Sequence, residues 1–491
     1  MSPASSVAAS LPAEIRKDIA IRVLSKSKPI SHLAAEHQVS RKFVYQQGHK
    51  AHQALDESFA SAQAAHEVLF YLPVTKAWLV QLILALVLIC HCSYRGVVEL
   101  LRDLFDLPIS IGTIHNRLQS AAEQAAAINS AQDLSRIQVD LRDEIFQSSS
   151  PVLVGIDAAS TYCYLLELAE HRDADTWGYY LLEAADRGLD PQRTIADAGT
   201  GLRAGHREAF GEEKPCHGDV FHLQHHCQSV ANRLNRQAIS ATARRQALEQ
   251  EMAVAKRKAQ GNRVSKKLTQ ARQQESTAIA LAQDVKTLIQ WLNHDLLELA
   301  GPELAERQDL YDFVVAELQR REGMGGKKLR ALRKALENQR DDILGFAQVL
   351  DDKLAEISQR LNTPLYLVRQ MCLLFAEQPT STAYWQAWNQ LHQKLSGQFY
   401  QLFGAVEEAM KQTPRASSLV ENLNSRLRNY FFLRKHLSPS YLNLLQFFLN
   451  HRRFMRSECE ERVGRSPREL MTGERHPHWL ELLGFTRFQQ A

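Results

Sequence analysis

The stretch Val152-Leu153-Val154-Gly155-Ile156-Asp157 carries the strongest fold signal in the chain. An unbroken apolar run of this length is typical of a β-strand that is buried on both faces, and here the run ends in a carboxylate. Thr194-Ile195-Ala196-Asp197 repeats this arrangement in a shorter form. Gly199 and Gly201 follow, and they predict a turn into a helix that runs to about Phe210. We therefore expect two buried strands that each carry an aspartate at the end.

Other strand signals are few. They are confined to the residues from Val152 to about Glu170 and to the approach to His217, where β-branched and aromatic residues gather. Between these strands, Trp177, Leu181 and Ala184 recur at helical spacing, which predicts a helix before Asp197. The strands and this helix together indicate an α/β core.

A long helical segment interrupts this core. From Leu223 to about Gln412 the chain is rich in Ala, Gln, Arg, Lys and Glu, which is typical of bundle or coiled-coil helices, and Gly323-Met324-Gly325-Gly326 is the expected break. The chain is too long for one ordinary domain. We expect helix-turn-helix and second helical domains at 1–65 and 66–145, the two parts of the core at 146–230 and 413–491, and an all-α insertion at 231–412.

The N-terminal helices resemble a DNA-binding motif. Ile30 to Tyr45 has the pattern of a helix-turn-helix, in which Ser40 caps a recognition helix that runs to about His52. A plain three-helix bundle is the alternative. A second Ser-capped helix begins after Ser110, and it fits a further DNA-binding helix and a docking bundle equally well. The side chains placed to contact DNA in the first motif are Arg41, Lys42, Tyr45, Gln46 and Gln47.

Composition excludes some classes of protein. The net charge of +4 is too small to indicate nucleic-acid binding by itself. Seven scattered cysteines do not form a disulfide framework, so we expect a reducing, cytoplasmic and nucleoid-associated location. The longest apolar run, Ala77 to Cys92, is shorter than the ~20 residues that a membrane span needs. It predicts a buried helix.

Local charge is more informative than the total. The residues from Gln228 to Gln290 contain about three cations for each acid, and a second basic stretch follows Glu421. An ordinary solvated helix face is the alternative, but we favour a track for the DNA backbone. The expected contacts are Arg244, Arg245, Lys256, Arg257, Lys258, Lys266 and Lys267.

A third acidic residue lies on a predicted helix. In Ser417-Ser418-Leu419-Val420-Glu421, the glutamate precedes Asn424 and Arg428 on one helical face. Two strand-end aspartates and one helical glutamate have the chemistry to bind divalent metal ions for phosphoryl transfer. The alternative is structural, since Ser418 and Glu421 also match a helix capping box. Asp157 in turn fits a simple turn-capping role.

The order of these motifs resembles a known family. The chain resembles the DDE transposases of bacterial insertion sequences in the order of its motifs. These are a strand that ends in Asp, a second strand followed by Asp-x-Gly-x-Gly-Leu, the segment Asp219-Val220-Phe221-His222, a helical insertion and the Glu421 helix. The relatives most similar in pattern, including Mutator-like and hAT groups, carry a Cys/Asp-x-x-His motif after the second aspartate. The closing segment Gly464 to Gly473 is also similar to that of many transposases. The resemblance implies a ribonuclease-H-like core.

The resemblance also implies site residues, cofactors and partners. Asp157, Asp197 and Glu421 would be the catalytic residues and ligands of two Mg²⁺ or Mn²⁺ ions. Accessory roles fall to Asp219, His222, Asn424 and Arg428. The substrate would be double-stranded DNA, both the element's terminal inverted repeats and the target, and the two ends would require at least a homodimer.

Several alternatives remain open at this point. Asp219 could replace Asp197 as the second carboxylate, and Cys216 with His222 could bind zinc, although their spacing matches no standard zinc motif. The chain could also be a DNA-binding regulator derived from a transposase, without catalysis. A third alternative is a metal-dependent nuclease that cuts DNA without joining it.

Overall fold

A computed structural model describes residues 11–59, 72–257, 261–415, 418–434 and 436–488. Side chains are described except for 255–257 and 261–263. The described residues divide into two compact units, one before Val74 and the other from Val74 to Phe488. Each unit is described by itself below.

The N-terminal unit contains three described helices, α1 (Ala13–Leu24), α2 (Ile30–Glu36) and α3 (Arg41–Phe59). A turn between α2 and α3 places Gln38 at φ 53°, and the Ser40 hydroxyl accepts the Phe43 N–H at 3.1 Å. Gly48 of α3 lies directly against Val23 of α1, where a Cβ atom would come within 2.4 Å of a Val23 methyl group. Glycine at position 48 therefore allows the two helices to approach closely.

The larger unit is built around a mixed sheet of five described strands in the order β3-β2-β1-β4-β5. β2 and β3 are antiparallel to their neighbours, whereas β4 and β5 are parallel to β1. The predicted strand at 152–157 is confirmed as the body of β2. The strand bounds are β1 Val139–Gln147, β2 Ser150–Asp157, β3 Cys163–Leu168, β4 Arg193–Ala196 and β5 Cys216–Gly218.

The central strand β1 was not predicted from the sequence, which is a correction to the expected strand set. Its sequence, VDLRDEIFQ, contains four charged residues, so no apolar run marks it. Leu141 and Ile145 nevertheless alternate with the polar positions and lie in the core. Groups from other elements form hydrogen bonds with its charged residues, as Tyr164 does with Asp140 and Asn424 with Asp143, and no local sequence pattern shows these partners.

Helices cover both faces of the sheet. On one face, α4 (Lys76–Leu88), α5 (Tyr94–Phe105), α6 (Ile111–Ser130), α15 (Ser418–Phe432) and α16 (Pro439–His451) share a continuous core with β1 and β2. The predicted buried helix at 77–92 is confirmed up to Leu88, and the chain then leaves the helix with Ile89 and Cys90 exposed. The other face is packed by α7 (Ala174–Asp186), with Trp177 fully buried, and by α8 (Thr200–Phe210).

The helical insertion lies between β5 and α15, as expected. Its helices are α9 (Val220–Arg257), α10 (Gly261–Trp291), α11 (Leu304–Arg360), α12 (Leu365–Leu374), α13 (Thr382–Leu395) and α14 (Phe399–Lys411). A π-helical turn, Leu292–Leu296, follows α10. The predicted glycine break is confirmed, because Gly326 leaves the helical conformation inside α11 at φ 70°.

Two short helices near the C-terminal end of this unit follow α16. α17 (Pro467–Thr472) begins with a capping box between Ser466 and Glu469, and α18 (Trp479–Leu482) buries Trp479 in the main core. Short 3-10 turns occur at Ser396–Gln398 and Glu460–Arg462. Among the described helices, none is both long and apolar enough to cross a membrane.

Candidate metal centre

Three aspartates meet at neighbouring positions of the sheet. The parallel pairing of β1 and β4 ends with Arg142 beside Ala196, so Asp143 and Asp197 are the next residues of each chain segment. β4 and β5 pair up to Ala196 and Gly218, so Asp197 and Asp219 are again the next residues. Asp197 therefore lies beside Asp143, which stands in the middle of β1, and Asp219 lies one strand further along the sheet.

Helix α15 brings the fourth carboxylate to this place. Val420, Leu423 and Leu427 pack its apolar face into the main core, which fixes the helix over β1. On the adjacent face, the Asn424 amide donates to Asp143 Oδ2 at 2.7 Å. Glu421 lies one turn earlier on that same face, and an Arg428 guanidinium nitrogen is 3.9 Å from Glu421 Oε2. The predicted grouping of Glu421, Asn424 and Arg428 is thus present.

His222 completes the cluster from the first turn of α9. Asp219 Oδ1 accepts the Phe221 N–H at 2.8 Å, which anchors the start of the helix. The Nε2 atom of His222 lies 3.5 Å from Asp219 Oδ2, 3.8 Å from Asp143 Oδ1 and 3.8 Å from Glu421 Oε1. One imidazole nitrogen therefore faces three carboxylates.

The cluster is electrostatically strained. Burial raises the pKa of the Asp143 carboxyl to about 7, and the charges of Glu421 and Asp197 act in the same direction, against the opposing effects of the Glu144 N–H and His222. Among the described residues, no lysine or arginine forms an ion pair with Asp143. A buried carboxylate without a matching cation is costly in the ionised form. An added cation would relieve this cost.

The donor set fits a divalent metal ion. One atom from each of Asp143, His222 and Glu421 lies within 4.8 Å of the others. A cation held about 2.1 Å from each donor keeps neighbouring donor atoms about 3 to 3.5 Å apart, so the 3.8 Å separations of His222 Nε2 from Asp143 and Glu421 would have to shorten by a few tenths of an ångström. In addition, Asn424 Oδ1 is buried with no hydrogen-bond partner among the described residues. These side chains fit a metal ion with its bound water.

Asp157, which the sequence favoured as the first ligand, is not part of this cluster. It pairs across the sheet with Asp140, and paired residues point to the same face, whereas Asp140 and Asp143 are three positions apart and point to opposite faces. The Asp157 carboxylate accepts the Ser160 N–H at 2.8 Å and the Ser160 hydroxyl. Asp157 therefore stabilises the turn after β2, and Asp143 takes the place expected for it.

One signal in the sequence pointed to Asp143. In Leu141-Arg142-Asp143-Glu144-Ile145, the two aliphatic residues flank the aspartate at strand spacing, which puts all three on one face. An aspartate between two buried aliphatic residues of a strand requires partners from elsewhere in the fold. Such a pattern is weak by itself, because a solvated helix produces it as well.

The predicted DNA-binding residues fall into distinct groups. Arg41, Lys42, Tyr45 and Gln46 are exposed along the first two turns of α3. Arg244, Lys266 and Lys267 are also exposed. Arg245 instead bridges Glu249 at 2.6 Å and Glu275 at 2.8 Å, so its charge is neutralised within the insertion. Lys258 lies outside the described residues, as do the side chains of Lys256 and Arg257.

Comparison with known proteins identified no relative of this chain. No protein-family profile matches this chain, and no curated protein shows significant similarity to it.

Proposed function

We propose that this chain is a metal-dependent DNA transposase of the DDE type. The observation that carries the proposal is the convergence of Asp143, Glu421 and His222 at the point where Asp197 and Asp219 leave the sheet. The catalytic carboxylates are then Asp143, Asp197 and Glu421. Asp143 replaces the Asp157 that the sequence pattern favoured.

The architecture is compatible with this proposal. The larger unit has a mixed five-stranded sheet with helices on both faces, and a long helical insertion precedes the helix of Glu421. This arrangement agrees with the ribonuclease-H-like core that the resemblance implies. The three N-terminal helices, with exposed Arg41 and Lys42 at the start of α3, agree with a helix-turn-helix that recognises the element's ends.

Each side chain around the carboxylates has a separate role in the proposed reaction. Two bound Mg²⁺ or Mn²⁺ ions would activate the attacking water or 3′-hydroxyl and stabilise the leaving oxygen. Asn424 fixes the orientation of the Asp143 carboxylate through its 2.7 Å hydrogen bond. Asp219 holds the first turn of α9, and thereby His222, against the carboxylates. Arg428 extends past Glu421 toward solvent, where it can meet a phosphate.

The charges along helix α9 favour the binding of a polyanion such as DNA. From Val220 to Leu248 it contains no Asp or Glu. Arg233 follows His222 by eleven residues and Arg244 follows Arg233 by eleven more, about three helical turns in each case, so the three side chains share one face. Arg236 lies beside them, and no described carboxylate forms an ion pair with these arginines. We name Arg233, Arg236 and Arg244 the α9 arginine stripe.

The α9 arginine stripe leads away from the metal centre. The helix rises about 1.5 Å per residue, so Arg244 lies about 33 Å from His222 along the axis, which is about ten base pairs of duplex DNA. All three arginines are exposed. We infer that this face binds the phosphate backbone of DNA whose scissile bond lies at the carboxylates. Joining two ends would require at least a homodimer.

The test is cleavage of DNA by the purified full chain in Mn²⁺. The substrate is a duplex library made from the DNA that flanks the coding sequence, with supercoiled plasmid as a sequence-independent probe. Glu421→Gln and Asp143→Asn should each reduce cleavage at least about 10³-fold, because each removes a charged ligand from the centre. Their affinity for the same DNA without metal should stay within about twofold of that of the original chain.

Asp157→Asn is the matched control, since it removes a buried charge of β2 that faces away from the centre. It should cleave DNA at the original rate. If Asp157→Asn abolishes cleavage and Asp143→Asn does not, the proposed assignment is wrong. If the unaltered chain binds the flanking DNA but cleaves nothing in Mg²⁺ or Mn²⁺, a DNA-binding regulator is the better assignment. Cleavage without joining of 3′ ends would indicate a nuclease.

A further inference from the structure

The environment of the His222 side chain is unusual for a histidine beside carboxylates. Its Nε2 atom is shielded from solvent and has no hydrogen-bond partner among the described residues. The three nearest carboxylate oxygens, from Asp219, Asp143 and Glu421, lie at 3.5, 3.8 and 3.8 Å. A buried nitrogen that faces three acids without bonding any of them requires another partner.

Hydrogen bonding alone does not account for these distances. An N–H donor and a carboxylate oxygen normally approach to about 2.7 to 3.2 Å, and charged pairs approach more closely still. All three distances from His222 Nε2 are longer. The 3.8 Å distances from Asp143 and Glu421 come closer to the separation of about 3 to 3.5 Å between neighbouring donor atoms around a shared cation, which holds each donor about 2.1 Å from itself.

We propose that His222 Nε2 is a direct ligand of one of the metal ions, together with Asp143 and Glu421. This inference rests on the proposed function for the identity of the centre and deepens it by naming the class of ion. An imidazole nitrogen favours first-row transition ions, whereas Mg²⁺ prefers an octahedron of oxygen donors. The position at His222 therefore selects a transition ion such as Mn²⁺, Co²⁺ or Zn²⁺ over Mg²⁺.

The local fold holds the histidine in place for this role. Asp219 ends the approach from β5 and accepts the Phe221 N–H, so the first turn of α9 is fixed relative to the sheet. Cys227 and Val230 pack a different side of the helix into the core of the insertion. His222 thus reaches the carboxylates from a rigid element, which is what a metal ligand requires.

The experiment uses the full chain stripped of metal and loaded with Mn²⁺ as the probe. Pulsed electron paramagnetic resonance should detect coupling between Mn²⁺ and a ¹⁴N nucleus, and His222→Gln should abolish that coupling. His222→Gln should also weaken Mn²⁺ and Co²⁺ binding at least about tenfold in calorimetry, while Mg²⁺ affinity changes less than about threefold. The matched control is His225→Gln, an exposed histidine of the next turn. It should retain the nitrogen coupling and the affinities of the unaltered chain.

The outcomes separate this inference from the proposed function. If Asp143→Asn and Glu421→Gln abolish Mn²⁺ binding while His222→Gln binds Mn²⁺ unchanged, the centre exists but His222 is not a ligand, and the inference is overturned. If none of the three variants changes Mn²⁺ binding, the centre itself is wrong and the proposed function fails with it. Circular dichroism checks that His222→Gln is folded, and His222→Asn is the substitute if it is not.

Discussion

Two buried aspartates of β1, Asp140 and Asp143, lie three residues apart and face opposite sides of the sheet. Asp140 is fully buried and forms an ion pair with Arg142. Its Oδ2 atom accepts hydrogen bonds from Arg142 Nε at 2.6 Å and from the Tyr164 hydroxyl at 2.7 Å. Asp143 is almost as buried but has the Asn424 amide in place of an arginine. The first carboxylate is neutralised within the fold, and the second is not.

This difference separates an acid that the fold neutralises from the acid that we propose as a metal ligand. Burial of a charge is tolerated when an opposite charge and hydrogen bonds accompany it, as they do around Arg142, which also contacts His206 at 2.9 Å. Glu421 and Asp197 instead bring further negative charge toward the buried Asp143 carboxylate, which raises its pKa and disfavours its ionised form, and perturbed acids of this kind often occur at functional sites. One face of β1 therefore carries an acid that an arginine neutralises, and the other face carries an acid that has no neighbouring arginine or lysine among the described residues.

The largest expected effect comes from breaking the neutralised pair. Arg142→Met should lower the free energy of unfolding by about 3 to 5 kcal/mol, because it leaves the Asp140 charge buried without its partner. Asp143→Asn should change it by less than about 1 kcal/mol in metal-free protein, or increase it, since the substitution removes a disfavoured charge. Urea unfolding at pH 8 with a chelator measures both. Equal losses in the two variants would contradict the comparison.

The pH dependence of metal binding sharpens the comparison. The pKa of Asp143 is raised to about 7 in the folded chain, against about 3.9 for a free aspartate, so the folded protein retains a proton that the unfolded chain has lost. Its contribution to stability is present below about pH 4 and is lost as the pH rises toward 7.

Metal must displace this proton. Affinity for Mn²⁺ should therefore rise about tenfold per pH unit below about pH 7, about a hundredfold between pH 5 and pH 7, and then level off. Calorimetric titration at several pH values measures this rise. Asp157→Asn should give the same profile as the unaltered chain, and an affinity that is flat from pH 5 to 7 would show that Asp143 is not a ligand.

The same contrast applies to the arginines of the insertion. Changing the α9 arginine stripe, Arg233, Arg236 and Arg244, to Gln should weaken duplex DNA binding about tenfold and reduce the salt dependence of log K by about 3, one for each lost phosphate contact. Arg245→Gln is the control, because Glu249 and Glu275 already neutralise Arg245. Fluorescence anisotropy across a salt series distinguishes them. An equal loss in the control would place the DNA elsewhere.

The smallest effect is expected at Asp157. Asp157→Ala removes the acceptor of the Ser160 N–H and hydroxyl and should cost about 1 kcal/mol of stability, as a lost buried hydrogen bond does. Mn²⁺ affinity should stay within about twofold of the original. Thermal unfolding and Mn²⁺ titration of one preparation give both values, and a large loss of Mn²⁺ affinity would return Asp157 to the metal centre.

Much of the secondary structure was predictable because it depends on local patterns. The apolar run 152–157 marked β2, the spacing from Trp177 to Ala184 marked α7, and the glycines at 323–326 marked the break in α11. The central strand β1 was missed because its charges hide its alternation. Two members of the cluster, His222 and Glu421, were identified through their motifs, whereas Asp143 was not. Asp197 follows β4 beside this cluster, and its role stays a prediction.

The sequence by itself determined most of the helices, the strand β2 and which residue types are available for metal chemistry, because hydrophobic period and local hydrogen-bonding chemistry act over a few residues. Only the tertiary structure decided which strand acid lies with His222 and Glu421. The register between β1 and β2 points Asp157 away from the site and Asp143 toward it, and α15 then adds Glu421 and Asn424. Residues that are about 280 positions apart in the chain meet there. Their proximity depends on sheet register and helix packing, which are properties of the whole fold.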